Sequence, residues 1–302
     1  MTNKRQEIQG TGIDTESILE ENKLQLVETG FFRRKQNIMK VRDKDDNSLI
    51  LKTGRIEKFQ TSLFEVARAI EEKLSFRVPA IIQQGEGWIL LEEIEGKLLN
   101  DFYGEKPEWY VEVSKKIADD YQLVIQEVQK TLALGDLLSE GKEWFSSRLE
   151  TWGRPIVDAG LIDTALLEKI KKDFDEVTAK NGEDFFGWFH GNIIGDHIIV
   201  SGENLYLLDL DAVPRPGRGY YDFLRALDFM LLKEEGGTAA DQISQWIRRC
   251  LSDFNEYEVR LVFALRNIGI LGWDILHEKV EYVRGGIEMK KRQALKFIKR
   301  EY

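Results

Sequence analysis

The pattern of apolar residues changes near residues 92–96, and this change limits the folds that the chain can adopt. Before it, short apolar runs are separated by glycine, asparagine and charged residues, which is typical of strands joined by turns. These runs lie at 24–27, 37–41, 48–52, 78–83 and 88–91. A helix is predicted at about 61–74 from its apolar spacing, and a capping box at Ser17 predicts a short helix before the first strand. The first part of the chain is therefore predicted to be an antiparallel five-stranded sheet with one packed helix.

Beyond residue 96 a helical period replaces the strand pattern. Long amphipathic helices are predicted at 108–133, 138–151 and 161–179. Helices resume at Tyr220, and the basic amphipathic stretch at 289–300 is interpreted as a C-terminal helix with a solvated face. We therefore predict an N-terminal lobe of residues 1–95 and a helical C-terminal lobe of residues 96–302.

The charge and composition exclude several classes of function. The chain has 302 residues with 43 lysines and arginines against 53 aspartates and glutamates. Its net charge of -10 argues against a nucleic-acid partner, because an acidic surface repels phosphate backbones. Its single cysteine, Cys250, excludes a disulfide framework and a cysteine metal cluster. The first residues carry no secretory signal and no apolar run is long enough to cross a bilayer, so we expect a cytoplasmic protein without a membrane partner.

One short segment of the second lobe concentrates residues that can bind metal. The helical pattern breaks at 188–211, where a loop leads into two apolar runs joined by a tight turn at 201–204. Two of the chain's three histidines, His190 and His197, lie in this loop, and Asp209 ends the second run. Because the turn folds the runs back on each other, His197 and Asp209 are predicted to lie close together as potential metal ligands. Phosphoryl transfer needs such ligands, a cation on the phosphates and a group that orients the attacking hydroxyl.

Three consecutive segments carry a resemblance to a known group of enzymes. They read HGNIIGDH at 190–197, LLDLD at 207–211 and GRGYYDFLRAL at 217–227. They resemble the aminoglycoside-phosphotransferase-like families, which include antibiotic kinases and choline-kinase-like enzymes. In those families the catalytic loop reads His-Gly-Asp, four residues and Asn, and the following strand ends in Ile-Asp. The resemblance implies an α+β, two-lobed protein-kinase-like fold, with an antiparallel-sheet N-lobe and a mainly helical C-lobe.

The same resemblance implies roles for residues of the first lobe. Lys52, in the predicted third strand, is similar to the lysine that binds the phosphates of the nucleotide. Glu65, in the helix that follows, is similar to the ion-pair partner of that lysine. Glu92 and Ile94 lie where the hinge of these enzymes meets the adenine through backbone groups, which implies that ATP or GTP binds here. The loop at 28–36 would cover the triphosphate, although its basic residues are equally consistent with a solvated turn.

Residues of the loop and the segments after it are also assigned by the resemblance. Asp209 would hold the metal, and His190 would orient the loop through a hydrogen bond. Asp222 would brace the catalytic loop, although an N-cap role at its predicted helix would also explain it. Gly191 stands where eukaryotic-type protein kinases commonly carry an arginine that binds a phosphorylated activation loop, so a protein substrate is not expected.

Asn192 departs from the family pattern, because it occupies the position of the catalytic aspartate. An amide cannot accept the proton of the substrate hydroxyl, and a positioned base contributes roughly a hundred- to ten-thousand-fold. Asp196 and Asp211 are the carboxylates nearest in sequence that could replace it. Two hypotheses follow. The first is an ATP- or GTP-dependent phosphotransferase acting on a hydroxyl of a small molecule, and the second is an impaired pseudokinase that binds nucleotide or ligand without turnover.

His197 is the second departure, because the family usually has an asparagine metal ligand there. Mg²⁺ is the metal that the resemblance implies, but an imidazole ligand favours softer ions, so Mn²⁺ is the alternative. The sequence leaves the acceptor open: Trp144, Phe145 and Trp152 could line a pocket for it or belong to the core. A monomer and a homodimer are equally consistent with the sequence.

Overall fold

Alternating apolar residues in the first part of the chain form the predicted five-stranded sheet. Its strands are β1 (Gln25–Thr29), β2 (Ile38–Arg42), β3 (Ser48–Thr53), β4 (Ile81–Gly85) and β5 (Trp88–Glu92). They pair antiparallel in the order β1-β2-β3-β5-β4, which confirms the predicted antiparallel sheet. Alternate residues of β3 are buried, because successive side chains of a strand point to opposite faces.

The structure, a computed structural model, divides the chain into two compact units. It describes residues 14–29, 37–54, 56, 58–193, 195–217, 219–224, 226–227, 252–276, 294–296 and 298–299. The first unit contains Met1–Phe102 and Asp196–Leu210, and the second contains Tyr103–Gly195 and Asp211–Tyr302. The lobe boundary after residue 95 stays a prediction. The basic residues predicted to cover the triphosphate, and most of the predicted C-terminal helix, lie outside the described residues.

Two helices accompany the sheet of the first unit. Helix α1 (Thr15–Glu21) begins at an N-cap formed by Asp14, whose side chain accepts a hydrogen bond from the Ser17 backbone at 3.2 Å. Helix α2 (Lys58–Ala69) ends before the predicted position, and its continuation at Glu71–Lys73 is a 3-10 turn. The apolar core of this unit includes Ile18, Met39, Val41, Leu49, Leu51 and Leu90.

Within the described ranges, five further strands lie after the sheet. They are β6 (Lys97–Leu98), β7 (Phe186–Phe189), β8 (Ile198–Ser201), β9 (Asn204–Leu207) and β10 (Val213–Pro216). Strands β8 and β9 form the predicted hairpin, with Ser201 opposite Asn204, and β6 pairs with β8 in the first unit. Two backbone hydrogen bonds join Arg77 to the hairpin, one with Leu205 at 2.7 Å and one with Leu207 at 2.9 Å. This hairpin therefore belongs to the first unit, although about a hundred residues of the second precede it.

The second unit is mainly helical, as the sequence predicts. Its long helices are α3 (Pro107–Gln129), α4 (Leu137–Asp158), α5 (Thr164–Asn181) and α6 (Glu256–Leu276). Helix α4 continues past the predicted end at 151 and contains Pro155. The carbonyl of Pro155 accepts a hydrogen bond from the Ala159 backbone N–H, so the helix is kept on the C-terminal side of the proline. The two-stranded sheet of β7 and β10 was not predicted, and it frames the segment that holds the catalytic loop.

Aromatic side chains fill the interior of this helical unit. Phe174 contacts the rings of Phe145, Phe185 and Phe186, with ring centres 6.0 to 6.3 Å apart. Phe145 is 4% exposed, so it belongs to the core and does not line an open pocket. Within the described ranges, no helix combines the length and the apolar character that a membrane crossing requires.

Candidate active site

Lys52 and Asp209 meet in the first unit although 157 positions separate them in the sequence. Lys52 lies on β3, and Asp209 follows β9 by two residues. The Lys52 Nζ atom donates a hydrogen bond to Asp209 Oδ1 at 2.5 Å. The two side chains are 26% and 36% exposed, so solvent and small ligands can reach the pair. A cation and a hard carboxylate ligand therefore stand side by side, which is what a metal-bound phosphate requires.

His197 lies at the same end of the hairpin as Asp209. It ends a 3-10 turn at Gly195–His197, and its carbonyl accepts a hydrogen bond from the Leu208 backbone at 2.9 Å. Leu208 is the neighbour of Asp209, so the hairpin brings the backbones of His197 and Asp209 near each other, and their binding of a shared metal stays a prediction. His197 is only 3% exposed. Among the described residues, no group of three or more histidine, cysteine, aspartate or glutamate side chains gathers to hold a metal.

The other residues predicted to bind the nucleotide are Glu65, Glu92 and Ile94. Glu65 is exposed on α2, and among the described residues the ion pair of Lys52 is with Asp209 and not with Glu65. Glu92 ends β5, and its backbone N–H donates to the carbonyl of Ala80 at 2.9 Å. Ile94 is half-buried in the segment after β5. The adenine contacts of these two residues stay predictions.

Asp222 organises the catalytic loop in the second unit. Its two carboxylate oxygens accept hydrogen bonds from the backbone N–H groups of His190, at 2.9 Å, and of Gly191, at 2.6 Å. Asp222 is fully buried, and this burial raises the pKa of its carboxyl, whereas His190 and the two backbone donors act against the rise. The helical residues begin at 221, so Asp222 lies inside the first turn and is not the N-cap. The brace that the resemblance implies is therefore present, and the N-cap alternative is wrong.

His190 holds the backbone of its own loop. Its Nδ1 atom accepts a hydrogen bond from the Asn192 backbone N–H at 3.3 Å, which places the ring proton on the other nitrogen. The ring is 2% exposed and lies edge-on against Tyr121, with 5.2 Å between the ring centres. This geometry supports the predicted role of His190 in orienting the loop. It also fixes the backbone of Asn192, which is half-buried.

Gly191 has a backbone conformation that favours glycine. Its φ is +77°, in the left-handed region, where a side chain would be strained. A Cβ atom here would also overlap a methyl group of Val213 on β10. The tight turn at Gly191 lets both backbone N–H groups reach the carboxylate of Asp222.

The two carboxylates that could replace the missing base are both engaged. The Asn100 side chain donates a hydrogen bond to Asp196 within the first unit. Asp211 Oδ1 accepts from the Ala212 backbone at 2.9 Å. The Tyr121 hydroxyl donates to the Asp211 carbonyl at 2.6 Å and accepts from its N–H at 3.2 Å. No sequence pattern indicates that Tyr121 binds the Asp211 backbone, because its position on α3 has the spacing of a core aromatic.

Comparisons with solved structures support the fold. An amicoumacin kinase solved with AMP-PNP and Ca²⁺ superposes with a TM-score of 0.55 at 13% identity, over 95% of this chain and 94% of that chain. A microcompartment-associated aminopropanol kinase gives 0.56 at 14% identity, over 94% of each chain. A choline kinase from Streptococcus pneumoniae gives 0.50 at 12% identity, over 95% of this chain and 99% of that chain. No protein-family model matches the sequence, and no curated protein does.

The chain therefore has the α+β, two-lobed protein-kinase-like fold that its sequence motifs indicate. More particularly, it shares this fold with the amicoumacin kinase, the aminopropanol kinase and the choline kinase. At these identities the likeness establishes the fold, and the activity must be argued from the residues themselves.

Proposed function

We propose that this protein is a small-molecule kinase, which transfers the terminal phosphoryl group of ATP or GTP to a hydroxyl group. The observation that carries the proposal is the pair of Lys52 and Asp209, because the chain brings a cation and a carboxylate together from distant positions. Neither residue is buried as a structural ion pair would be. In the transfer, the bond from the terminal phosphorus to its bridging oxygen breaks, and a bond to the acceptor oxygen forms.

In this proposal Lys52 leaves Asp209 when nucleotide binds and contacts the phosphates. Asp209 would then hold a divalent metal, with His197 as the second protein ligand. The partly exposed carboxylate fits Mg²⁺, which prefers oxygen ligands and keeps several waters. Bound metal would neutralise the charge that develops on the transferred group. The nitrogen of His197 makes Mn²⁺ the alternative.

Asn192 is proposed to hold the acceptor hydroxyl. The loop that carries it is fixed by Asp222 and His190, so the backbone at Asn192 is held in a defined position. An amide oxygen can accept a hydrogen bond from the hydroxyl but cannot take up its proton. The proton must therefore leave to another base or to a phosphoryl oxygen, and the enzyme is expected to be slow.

Asn192 also favours a second candidate function. A pseudokinase with the same fold would bind nucleotide through Lys52 and Asp209, and turn nothing over. The discriminating observation is product formation, because both candidates predict nucleotide binding.

Calorimetric titration with ATP and with GTP tests the proposal first, with Mg²⁺, with Mn²⁺ and without metal. We expect metal-dependent binding that Lys52→Ala weakens about tenfold or more, because a charge-assisted contact to phosphate is lost. Lys44→Ala is the matched control, since Lys44 is exposed in the turn between β2 and β3. Mass spectrometry of candidate alcohols incubated with nucleotide then tests for phosphorylated product. Failure of every form to bind nucleotide at any metal concentration would contradict both candidates.

A further inference from the structure

Two arginines and two tryptophans lie in contact with one another in the second unit. The guanidinium carbon of Arg148 lies 4.0 Å from the ring centre of Trp152 and 3.9 Å from that of Trp144. The guanidinium carbon of Arg215 lies 3.7 Å from the ring centre of Trp144. We call the series Trp152, Arg148, Trp144 and Arg215 the arginine–tryptophan ladder.

The ladder leaves the edges of its guanidinium groups available. Two groups this close to one ring centre would overlap if they shared a face, so Arg148 and Arg215 cover opposite faces of Trp144. Trp144 and Trp152 are nearly perpendicular, at 86° with 5.9 Å between their ring centres, so the flat guanidinium of Arg148 can stack on only one of them. The N–H donors of a guanidinium point outward in its plane. Arg215 uses part of its edge for the Pro214 carbonyl, at 2.7 Å, and for Tyr221. The donors of Arg148 that face away from the rings have the fork geometry that matches an oxyanion.

The positive charge of the ladder is incompletely balanced. Among the described residues, no carboxylate oxygen lies within ion-pair distance of Arg148 or Arg215. Burial and the charge of Arg215 lower the pKa of Arg148 to about 10. Burial also lowers the pKa of Arg215, against the attraction of Tyr221, Asp211 and Asp222. Both groups remain charged at neutral pH, and an added anion would stabilise them.

The ladder lies beside the catalytic loop. A Cβ atom on Gly191 would lie 3.7 Å from Nε of Arg215, and Gly191 directly precedes Asn192. At the other end, Trp152 packs against α6 at Gly269 and Gly272, where any Cβ atom would overlap it. The ladder is therefore fixed at one end by α6 and reaches the loop at the other.

We propose that the guanidinium edge of Arg148, with the positive charge of Arg215 nearby, binds an oxyanion, a carboxylate or phosphate group, on the same molecule as the acceptor hydroxyl. The substrate class is then a small hydroxylated acid or phosphate ester and not a polycation. This assignment of the anion to the acceptor rests on the proposed function, but the anion site itself does not. The alternative is that the ladder only attaches β10 to α4 and binds no ligand.

The anion site can be tested without turnover, because it contains two of the seven tryptophans of the chain. Tryptophan fluorescence is followed during titration with inorganic phosphate or acetate, at constant ionic strength maintained with chloride. We expect a saturable change, which Arg148→Gln weakens about tenfold or more because a charged donor edge is lost. Arg154→Gln, at an exposed position of the same helix, should leave it unchanged. Saturation by phosphate alone indicates a phosphate ester, and saturation by acetate as well indicates a carboxylate.

Two outcomes would overturn the proposal: no saturable response of the wild-type protein to either anion, or equal affinity in Arg148→Gln. Circular dichroism confirms that each variant is folded, and Arg148→Lys, which keeps the charge without the planar edge, should bind with intermediate affinity. ATP titration without acceptor separates the two proposals. Unchanged ATP affinity in Arg148→Gln supports an acceptor site, whereas a parallel loss of ATP affinity would assign the ladder to the nucleotide and overturn the inference. Lack of ATP binding by every form would contradict the proposed function and leave the anion titration as a separate test.

The link to the acceptor is tested by comparing alcohols that differ only in charge. Glycerol, glycerate and glycerol 3-phosphate are incubated with nucleotide, and each product is measured by mass spectrometry. We expect at least tenfold more product from an anionic alcohol than from glycerol, and this preference should disappear in Arg148→Gln. Equal use of neutral and anionic alcohols would overturn the assignment of the anion to the acceptor.

Discussion

The two units differ in what they keep of the phosphotransferase pattern. The first unit keeps its charged pair, because Lys52 and Asp209 are both present and in contact. The second unit keeps the frame of the predicted catalytic loop, since Asp222 accepts hydrogen bonds from two backbone N–H groups, and it carries Asn192 where the sequence resemblance places the base. The charged pair and the braced loop are thus observed, whereas the role of Asn192 stays a prediction.

The two aspartates show how environment separates a ligand from a brace. Asp209 is 36% exposed and forms its ion pair with the partly exposed side chain of Lys52, so a metal ion can reach it from solvent. Asp222 is 0% exposed, and within the described residues its carboxylate accepts hydrogen bonds from two backbone N–H groups. Replacing these donors by a metal ion would leave them buried and unsatisfied. Burial and partner type, more than residue type, indicate which carboxylate serves chemistry and which serves the loop.

The largest expected effect comes from placing a carboxylate at position 192 of the second unit. Asn192→Asp should raise phosphoryl transfer by roughly two to four orders of magnitude, because a positioned base is worth that much. Nucleotide affinity should barely change, since residue 192 is proposed to face the acceptor. Single-turnover product formation measures the effect, with Asn255→Asp, at the exposed start of α6, as a control for the same chemical change. Equal turnover of the wild-type protein and Asn192→Asp would mean that another group serves as the base.

The next effect comes from disabling the charged pair of the first unit. Asp209→Ala should weaken metal-dependent nucleotide binding by about ten- to a hundredfold, because it removes a charged metal ligand. Calorimetry with ATP and Mg²⁺ measures this loss. Asp45→Ala, in an exposed turn of the same unit, should bind like the wild type. Wild-type affinity in Asp209→Ala would remove this residue from the site.

A third effect tests whether Asp222 acts as a brace. Asp222→Asn leaves one acceptor oxygen for two backbone donors, so the free energy of unfolding should fall by about 1–3 kcal/mol. Urea unfolding measures the change, and exposed Asp158→Asn should show almost none. Nucleotide binding should survive in the folded variant, because the charged pair belongs to the other unit. A loss of nucleotide binding without a loss of stability would contradict the separation of roles.

The smallest effect concerns the metal. His197→Asn should shift the preference from Mn²⁺ toward Mg²⁺ by a few-fold, because an amide oxygen replaces an imidazole nitrogen. Nucleotide titrations with each metal measure the ratio of affinities, and the same ratio in both proteins would mean that His197 is not a ligand.

Local patterns predicted the fold better than they predicted the site. The β8–β9 hairpin followed from a short turn between two apolar runs, and the structure confirms it. Strand β6 was missed because two residues carry no period. The brace by Asp222 came only from family resemblance, because local capping rules alone also allowed an N-cap role.

Side-chain partners that are distant in the sequence could not be predicted from it, for a physical reason. The pairing of Lys52 with Asp209, in place of the expected pairing with Glu65, depends on how β3 and the hairpin pack. The arginine–tryptophan ladder brings Arg215 from β10 onto Trp144 from α4, and neither segment has a pattern that names the other. Such contacts are set by tertiary packing, which no local period records.

The Arg77 contacts with the hairpin have a consequence for synthesis on the ribosome. The N-terminal unit is discontinuous, so its last pieces, Asp196–Leu210, emerge after the whole intervening segment of the second unit has been made. Until then β6 lacks its partner, and the backbone groups of Arg77 lack Leu205 and Leu207. A nascent chain that stops near residue 102 therefore presents unpaired strand edges, which are prone to pair with other chains. The first unit is thus completed only once residue 210 has been made, and a truncated N-terminal fragment is expected to need the hairpin supplied in trans to fold.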